Sequence, residues 1–250
     1  MRIDFTKLRR IISSSTSASR NAIDSSESLS EFTASIANYI EHNHRIKENE
    51  MAMITMSMED WRRKRNNRTY SGSDPIKIGD IFYADLGLTY SPELAYNHPV
   101  VILEQIRGLY LVLPVSTSHD SLTKAYHPIL NPTGKKFLRK VLASEGEGFL
   151  EDSAILISNM RTISPARLHG DKKGSMNNVT DPSSLFQEIR NTAFKMAFPK
   201  LESKSKRTYS LINKLWNNRR ILQEKIKLLE EEKKLLTTQI NLLQNQTENN

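Results

Sequence analysis

The sequence contains no cysteine, which excludes disulfide bonds, thiolate metal sites and catalytic thiols. Hydrophobic residues make up 38% of the 250 positions and aromatic residues only 7%. Because that is little for one well-filled core of this length, we expect a small core with extended helical arms. No segment approaches the ~20 apolar residues that cross a bilayer, and residues 1–15 contain no apolar run of signal-peptide length. We therefore expect a cytoplasmic protein with no membrane partner.

The chain is basic, with 36 lysines and arginines against 28 carboxylates, a net charge of +8 and a pI near 9.5. Such a balance favours an anionic partner, of which nucleic acid is the commonest, although a solvated basic surface explains it equally well. The densest cationic run is WRRKRNNR at 61–68. It could grip phosphates or stack on a base. The sequence favours the plainer interpretation, cations that complement the dipole of a helix end.

Composition divides the chain into three regions. Residues 1–76 form a polar, partly helical N-terminal extension, residues 77–200 a β-rich domain with a closing helix, and residues 201–250 a C-terminal coiled coil. In the extension, helical spacing of apolar residues predicts one helix from Ser28 to about Arg65, with Ser28 as its N-cap.

The closing helix of the β-rich domain is expected to begin at Asp181–Pro182, because Asp is a good N-cap and Pro suits the first helical position. The preceding stretch, residues 170–180, is polar and predicted to be a loop. Pro199 should limit the helix at its other end.

The C-terminal region has the clearest periodicity. Its leucines recur every seven residues, and isoleucine alternates with a cation three positions before them. This pattern favours a parallel two-stranded coiled coil, and its strict period argues against a single helix lying on its own domain. A DNA-binding basic zipper would need a polar, cation-dense helix ahead of the coil, where Leu211 and Trp216 stand instead. The heptad leucines are Leu215, Leu222, Leu229, Leu236 and Leu243.

The region from Lys77 to Leu168 consists of short runs rich in Val, Ile, Leu and Tyr, each bounded by turn-forming residues. Such runs favour strands, and several at short spacing indicate a small β-barrel or sandwich. The predicted strands are Gly79–Leu86, Val100–Leu103, Leu109–Val115 and Ser153–Ser158, and Arg107–Gly108 suits a hairpin turn into the third of them.

Four motifs follow one another in this region: GDIFYADL at 79–86, HPVVIL at 98–103, LVLPVSTS at 111–118 and EDSAILISNMRTI at 151–163. In this order they resemble the MazF/PemK family of toxin endoribonucleases. The resemblance implies a small SH3-like β-barrel with closing helices that forms a homodimer and cuts single-stranded RNA without metal or other cofactor. It also implies inhibition by an antitoxin protein. The homodimer would then use both the barrel and the coiled coil.

The resemblance places a catalytic pair at His98 and Ser116. The family has arginine where this chain has His98, and threonine or serine at the position of Ser116. An imidazole with a reference pKa near 6.5 could act as the cation when protonated or could itself move a proton. Ser116 keeps a hydroxyl that can donate to a phosphoryl oxygen, and Thr117 and Ser118 extend this set of donors.

Five further residues are substrate-binding candidates. Glu93 matches an acidic loop residue of the family and could accept a proton or contact a base edge. Tyr126 could stack on a base, and His127 could reach the same groove. Asn159 retains the amide that positions a base in the family, and Arg161 either contacts phosphate or pairs with a carboxylate such as that of Asp85.

Two other functions remain open on the sequence. One is a barrel without catalytic activity that binds a protein partner, because the catalytic arginine of the family is replaced by His98. The other is a toxin directed at gyrase on the same fold. Metal-dependent chemistry is not expected, because the six histidines show no ligand spacing beyond His42 and His44 in the polar extension.

Overall fold

The structure is a computed structural model that describes residues 3–248. It describes the side chains of residues 3–200, 207–208, 210–227, 229–231 and 233. Within residues 3–248 the α-helices are Phe5–Ser13 (α1), Ser15–Ser19 (α2), Ser26–Asn43 (α3), Glu48–Lys64 (α4), His119–Lys124 (α5), Leu185–Ala197 (α6) and Pro199–Glu248 (α7). None of these helices is both long and apolar enough to cross a membrane.

The β-strands join into one mixed sheet, in which β4 and β5 pair in parallel and the other pairs are antiparallel. The order is β4-β5-β6-β3-β2-β1-β8, and β7 pairs with the first half of β3. The sheet ends at β4 and β8, so the predicted barrel is not closed. The strands are Asp80–Asp85 (β1), Asn97–Ile106 (β2), Leu109–Ser116 (β3), Ala125–Tyr126 (β4), Lys135–Val141 (β5), Ser153–Leu156 (β6), Arg161–Ile163 (β7) and Leu168–Ser175 (β8).

The hairpin of β2 and β3 forms the centre of the sheet, as the sequence predicts. Its turn residues Arg107 and Gly108 both have positive φ, 46° and 83°, the combination that matches the twist of a two-residue hairpin. Both faces of these strands are buried. Val101 and Leu113 pack on one side with α6, and Val100 packs on the other. Burial on both faces explains why the strands read as continuous apolar runs.

Strand β8 occupies the first part of the loop predicted at residues 170–180, and residues 176–180 lie outside any helix or strand, as predicted. Its sequence, LHGDKKGS, contains glycine, aspartate and lysine, which are poor strand formers. It is nevertheless held by pairing with β1, where Ile81 lies opposite Gly174 and Ala84 opposite Leu168. A shift of register between these pairs marks a bulge. Tertiary pairing has therefore overridden local preference.

The N-terminal extension contains two main helices where the sequence predicts one. Helix α3 begins after Ser25, whose hydroxyl accepts from the backbone amide of Ser28, so Ser28 is not the cap. Residues 44–47 then interrupt the helical structure before α4 begins. Helix α4, in which Ile54 and Ser57 are buried, is joined to the sheet domain by the Ser57 hydroxyl, which donates to Asp85 of β1. The one helix predicted from Ser28 to about Arg65 is thus two helices.

The closing helix α6 begins three residues later than predicted, because Ser184 is its N-cap and accepts from the amide of Gln187. Asp181 instead accepts from the amide and hydroxyl of Ser183 in the preceding turn, at 2.8 Å each. Phe186 and Ile189 of α6 are buried in the core, as the predicted apolar face requires.

Helix α7 is 50 residues long, which corresponds to about 75 Å at 1.5 Å per residue. Its leucines at heptad positions 215, 222 and 229 are 65, 58 and 62% exposed in the single chain. Leu236 and Leu243 lie outside the described side chains. The continuous helix is what a coiled coil needs, and the pairing of two such helices stays a prediction.

Candidate functional site

The ends of β2 and β3 bring the predicted catalytic pair to the same edge of the sheet. Val100 lies opposite Pro114 in the antiparallel register. Continuing that register by two residues in each strand brings His98 beside Ser116 at the N-terminal end of β2 and the C-terminal end of β3. His98 also lies opposite Ala84 of β1.

Both residues line one cavity of about 460 Å³, here called the strand-end pocket. Its wall also contains the two further predicted hydroxyl donors and, from other elements, an aromatic ring, a cation and a carboxylate. The polar and aromatic residues of this wall include Tyr83, His98, Ser116, Thr117, Ser118, Glu151 and Lys173.

Burial lowers the pKa of the half-buried His98 imidazole below its usual value of 6.5, although hydrogen bonds to the backbone of Val115 and Ala95 act in the opposite direction. Loss of solvation disfavours the charged form of a histidine. At neutral pH the imidazole is therefore mainly uncharged, which equips it to accept a proton rather than to serve as a permanent cation in place of arginine.

A chain of hydroxyl groups leads away from His98 at the end of β3. The Ser116 hydroxyl donates to the Ser118 hydroxyl at 3.0 Å, and this donates to the Ser121 hydroxyl at 2.9 Å. Ser118 is also the N-cap of α5 and accepts from the Ser121 amide. The local sequence thus fixes the turn that presents these donors to the strand-end pocket.

A second cavity, here called the loop pocket, collects three other predicted residues. Glu93, Asn159 and Arg161 line it together with Leu94, and its volume is about 270 Å³. Arg161 Nη1 donates to the Leu94 carbonyl at 3.1 Å and so ties β7 to the loop between β1 and β2. The Ser158 hydroxyl donates to Asn159 Oδ1 at 3.0 Å.

The suggested pairing of Arg161 with Asp85 is not found. Asp85 is buried and accepts from the hydroxyl of Ser57 at 2.7 Å and from the amide of Gly87 at 2.9 Å. Its cationic neighbour is Arg167, with Nη1 3.9 Å from Oδ2. The carboxylate belongs to the anchoring of α4, because Ser57 comes from that helix.

The interpretation of His127 as a groove residue is corrected by its surroundings. Its side chain is buried, with Nε2 2.9 Å from Oε1 of Glu145, and Nδ1 accepts from the amides of Ile129 and Leu130. These contacts fix a turn and give the imidazole a structural role. Tyr126 is half-buried in β4 and lies under nearby cations, with the Arg139 guanidinium 5.6 Å from its ring centre.

Sequence reasoning missed Tyr83 and Lys173. They come from β1 and β8, and Lys173 Nζ lies 6.0 Å from the centre of the Tyr83 ring. Tyr83 occupies a solvent-facing position in a strand whose other residues are buried, which is a signal that the sequence does contain. The sequence contains no comparable signal for Lys173, because the residues of its strand predict a loop. Among the described residues no group of three metal-ligating side chains is present.

Residues 77–192 match the model of the PemK-like, MazF-like toxins of type II toxin–antitoxin systems. This part of the chain is a PemK/MazF-family domain. Similar solved structures include the crystal structures of MazF (Form-I) and of MazE-MazF (Form-II) from Deinococcus radiodurans, at 13% and 11% sequence identity and TM-scores of 0.37 and 0.32. The two matches cover 50% and 52% of the present chain, respectively, and 98% of each matched chain. The comparison with curated proteins gives no match.

Proposed function

We propose that the chain is the toxin of a type II toxin–antitoxin pair and cleaves single-stranded RNA without a metal ion. The observation that carries this proposal is the strand-end pocket of the PemK/MazF domain. There an imidazole of lowered pKa and a set of hydroxyl donors line one cavity. A base and hydrogen-bond donors around one phosphate are the groups that such a cleavage needs.

In the proposed reaction, neutral His98 accepts the proton of the 2′-hydroxyl, and the 2′-oxygen attacks the adjacent phosphorus. The bond to the 5′-oxygen breaks, the departing oxygen takes a proton from a water molecule, and the resulting hydroxide accepts the proton held by His98. The hydroxyls of Ser116 and Thr117 donate to the phosphoryl oxygens as negative charge develops there. The products are a 2′,3′-cyclic phosphate and a 5′-hydroxyl end. DNA lacks the nucleophile and stays intact.

The loop pocket then recognises a base of the bound RNA. Asn159 offers an amide, and Glu93 offers carboxylate oxygens that can accept from a base edge. Both line the same cavity. Serine stands at position 158, where the family usually has an acidic residue, so the sequence that is cut would differ from that cut by typical members.

Digestion of a long single-stranded RNA by the purified protein in EDTA tests this proposal. We expect discrete fragments that end in 2′,3′-cyclic phosphate, and no cleavage of DNA of the same sequence. RNA that stays intact at every pH from about 5 to 9, on both sides of the usual histidine pKa, would instead support a barrel without catalytic activity. Stalled gyrase–DNA complexes in expressing cells, without RNA fragments, would favour the gyrase-directed alternative.

We also propose that the protein forms a homodimer through the sheet domain and α7, and that an antitoxin binds it. The family description supports the antitoxin, and the exposed leucines of α7 support the helix pairing. Light scattering before and after truncation at Lys200 tests the contribution of α7. We expect weaker self-association of the truncated chain. An unchanged mass would show that the sheet domain dimerises without α7.

A further inference from the structure

Helix α4 lies outside the residues that match the PemK/MazF family and is nevertheless anchored to that domain. The buried Ser57 hydroxyl donates to Asp85 Oδ1 at 2.7 Å. Asp60 Oδ2 lies 3.1 Å from Nε2 of His169 in β8. With Ile54 buried as well, α4 is held at its middle and near its end. Its surface is therefore a fixed addition to the domain.

The docking of α4 creates a groove between this helix and the loop that joins β1 to β2. We call it the arm groove; its volume is about 880 Å³. Large apolar and aromatic side chains line it from both sides and remain exposed, Trp61 by 59% and Tyr90 by 88%. Such a concentration of exposed rings is unusual on the surface of a soluble domain and marks a binding surface.

The arm groove continues into the loop pocket. Glu93 and Arg161 line both cavities, and the loop pocket also contains Asn159, the proposed base-positioning residue. On its other side, Trp61 and Arg167 line a further cavity behind α4. A ligand that occupies the loop pocket can therefore extend along α4 without leaving the surface of the protein.

The chemistry of this surface favours a polyanion with flat rings. Residues 59–68 carry five cationic side chains against two carboxylates; of these cations Arg62 lines the arm groove, and Lys64 and Arg65 line the cavity behind α4. The Arg65 guanidinium lies 5.1 Å from the centre of the Trp61 ring. Arg62 is paired with Glu59 at 2.7 Å, but this pair is exposed, and exposed pairs contribute so little that phosphate can compete for the arginine. Compensation of the helix dipole explains these cations but not an exposed indole beside them.

We propose that the arm groove binds the part of a single-stranded RNA that extends from the loop pocket along α4. A base stacks on Trp61, and the adjacent phosphates face Arg62 in the arm groove and Arg65 in the cavity behind α4. Stacking on aromatic rings with cations along the backbone is the general mode of binding single strands without sequence preference. This inference rests on the proposed function for the identity of the ligand. It adds a site that the family domain alone does not contain.

The test compares two tryptophans in one protein. Trp216 on α7 is 61% exposed and has the Arg219 guanidinium 5.5 Å from its ring centre, so it reproduces the local chemistry of Trp61 far from the groove. Binding is measured by fluorescence anisotropy at one salt concentration, in full-length protein that carries His98→Ala to suppress cleavage. The probes are fluorescein-labelled RNAs of ~20 and ~3 nucleotides, because only the longer one can extend along the groove.

We expect Trp61→Ala to weaken binding of the longer RNA by about 5- to 150-fold, the effect of losing one stacked base. Trp61→Phe should restore most of the affinity, and Trp216→Ala should have no effect. Binding of the short RNA should be the same in all variants. Circular dichroism spectra identical to that of the parent would exclude unfolding as the cause.

Equal affinity of Trp61→Ala and Trp216→Ala for the longer RNA would overturn the inference. So would a Trp61→Ala variant that keeps its RNA affinity but loses binding of the antitoxin, because the groove would then be a protein interface. The two proposals fail separately. Unaltered RNA cleavage with no effect of Trp61 contradicts only the groove, whereas Trp61-dependent RNA binding without any cleavage contradicts only the nuclease.

Discussion

The strand-end pocket and the arm groove lie on the same domain but differ in how the chain builds them. The pocket draws its residues from strand ends within the family domain, and its polar groups are few and convergent. The groove is made by a helix from outside that domain, and its wall is largely apolar with paired charges. A site with convergent polar groups suits chemistry, and an open groove with rings and cations suits binding. Changes in the two regions should therefore separate into effects on rate and effects on affinity.

The largest expected effect is the loss of cleavage on removing the proposed base. His98→Ala should lower kcat by about 10²- to 10⁴-fold, the usual contribution of a positioned base. RNA affinity should change little, because the groove is intact. Single-turnover cleavage and anisotropy on the same preparation measure the two quantities. A variant that lost affinity and kept its rate would place His98 in binding instead.

The sequence predicted the central hairpin and the closing helix correctly because both depend on local patterns. The turn at Arg107–Gly108 needs positive φ, and the buried strands on either side read as apolar runs. It could not predict β8, because that strand is defined by its pairing with β1 rather than by its own residues. Lys173 was missed for the same reason. The family resemblance supplied the pair of His98 and Ser116, and the hairpin explains why the two are neighbours, because its consecutive strands are adjacent.

The sequence also could not predict which of its histidines is buried. His127 carries the same side chain as His98, yet one is enclosed by a turn and Glu145 while the other lines an open cavity. Nothing in the residues around them distinguishes these two environments. The break between α3 and α4 was also missed, since no proline or glycine marks it.

Acidification should lower the cleavage rate only at a pH below the pKa of a free imidazole. His98 must be neutral to accept a proton, and its pKa lies below 6.5 because of burial. Cleavage should therefore stay constant through neutral pH and fall about tenfold per pH unit below that lowered pKa. The same pocket is also lined by Glu151, Tyr83 and Lys173. A pH–rate profile of Lys173→Met tests whether the lysine helps to set the pH at which cleavage begins to fall.

Loss of stability must be separated from this loss of rate. A histidine whose folded pKa is depressed binds its proton more readily when unfolded, so stability declines as pH falls through 6.5 towards the folded pKa. His169 contributes in the same direction, because burial and Lys64 lower its pKa. Circular dichroism across the pH range distinguishes the two effects. A rate that fell only where the protein unfolds would contradict the role of His98 as base.

A smaller effect is expected where α4 is attached. Ser57→Ala removes one donor from the buried Asp85 carboxylate, which should cost about 1–3 kcal/mol in the free energy of unfolding. Hydrogen exchange in α4 should increase, and affinity for a long RNA should fall while the rate with bound RNA is kept. Thr55→Ala is the matched control for hydrogen exchange alone, since the Thr55 hydroxyl donates to the Met51 carbonyl within the same helix and its side chain lines the arm groove. Equal exchange in the two variants would show that Ser57 does not anchor the helix.

The smallest effect should come from Lys173, which lines the strand-end pocket but is exposed. With His98 mainly neutral, this ammonium is the permanent cation of the pocket wall. An exposed charge contributes at most about 1 kcal/mol to such an interaction, so Lys173→Met should lower the cleavage rate by up to about 5-fold. The matched variant is Lys172→Met, because Lys172 pairs with Asp80 at 3.5 Å instead of lining the pocket. Because salt screens exposed charges, the difference between the two variants should shrink as salt is added, and a difference that persisted would mean that Lys173 acts through packing.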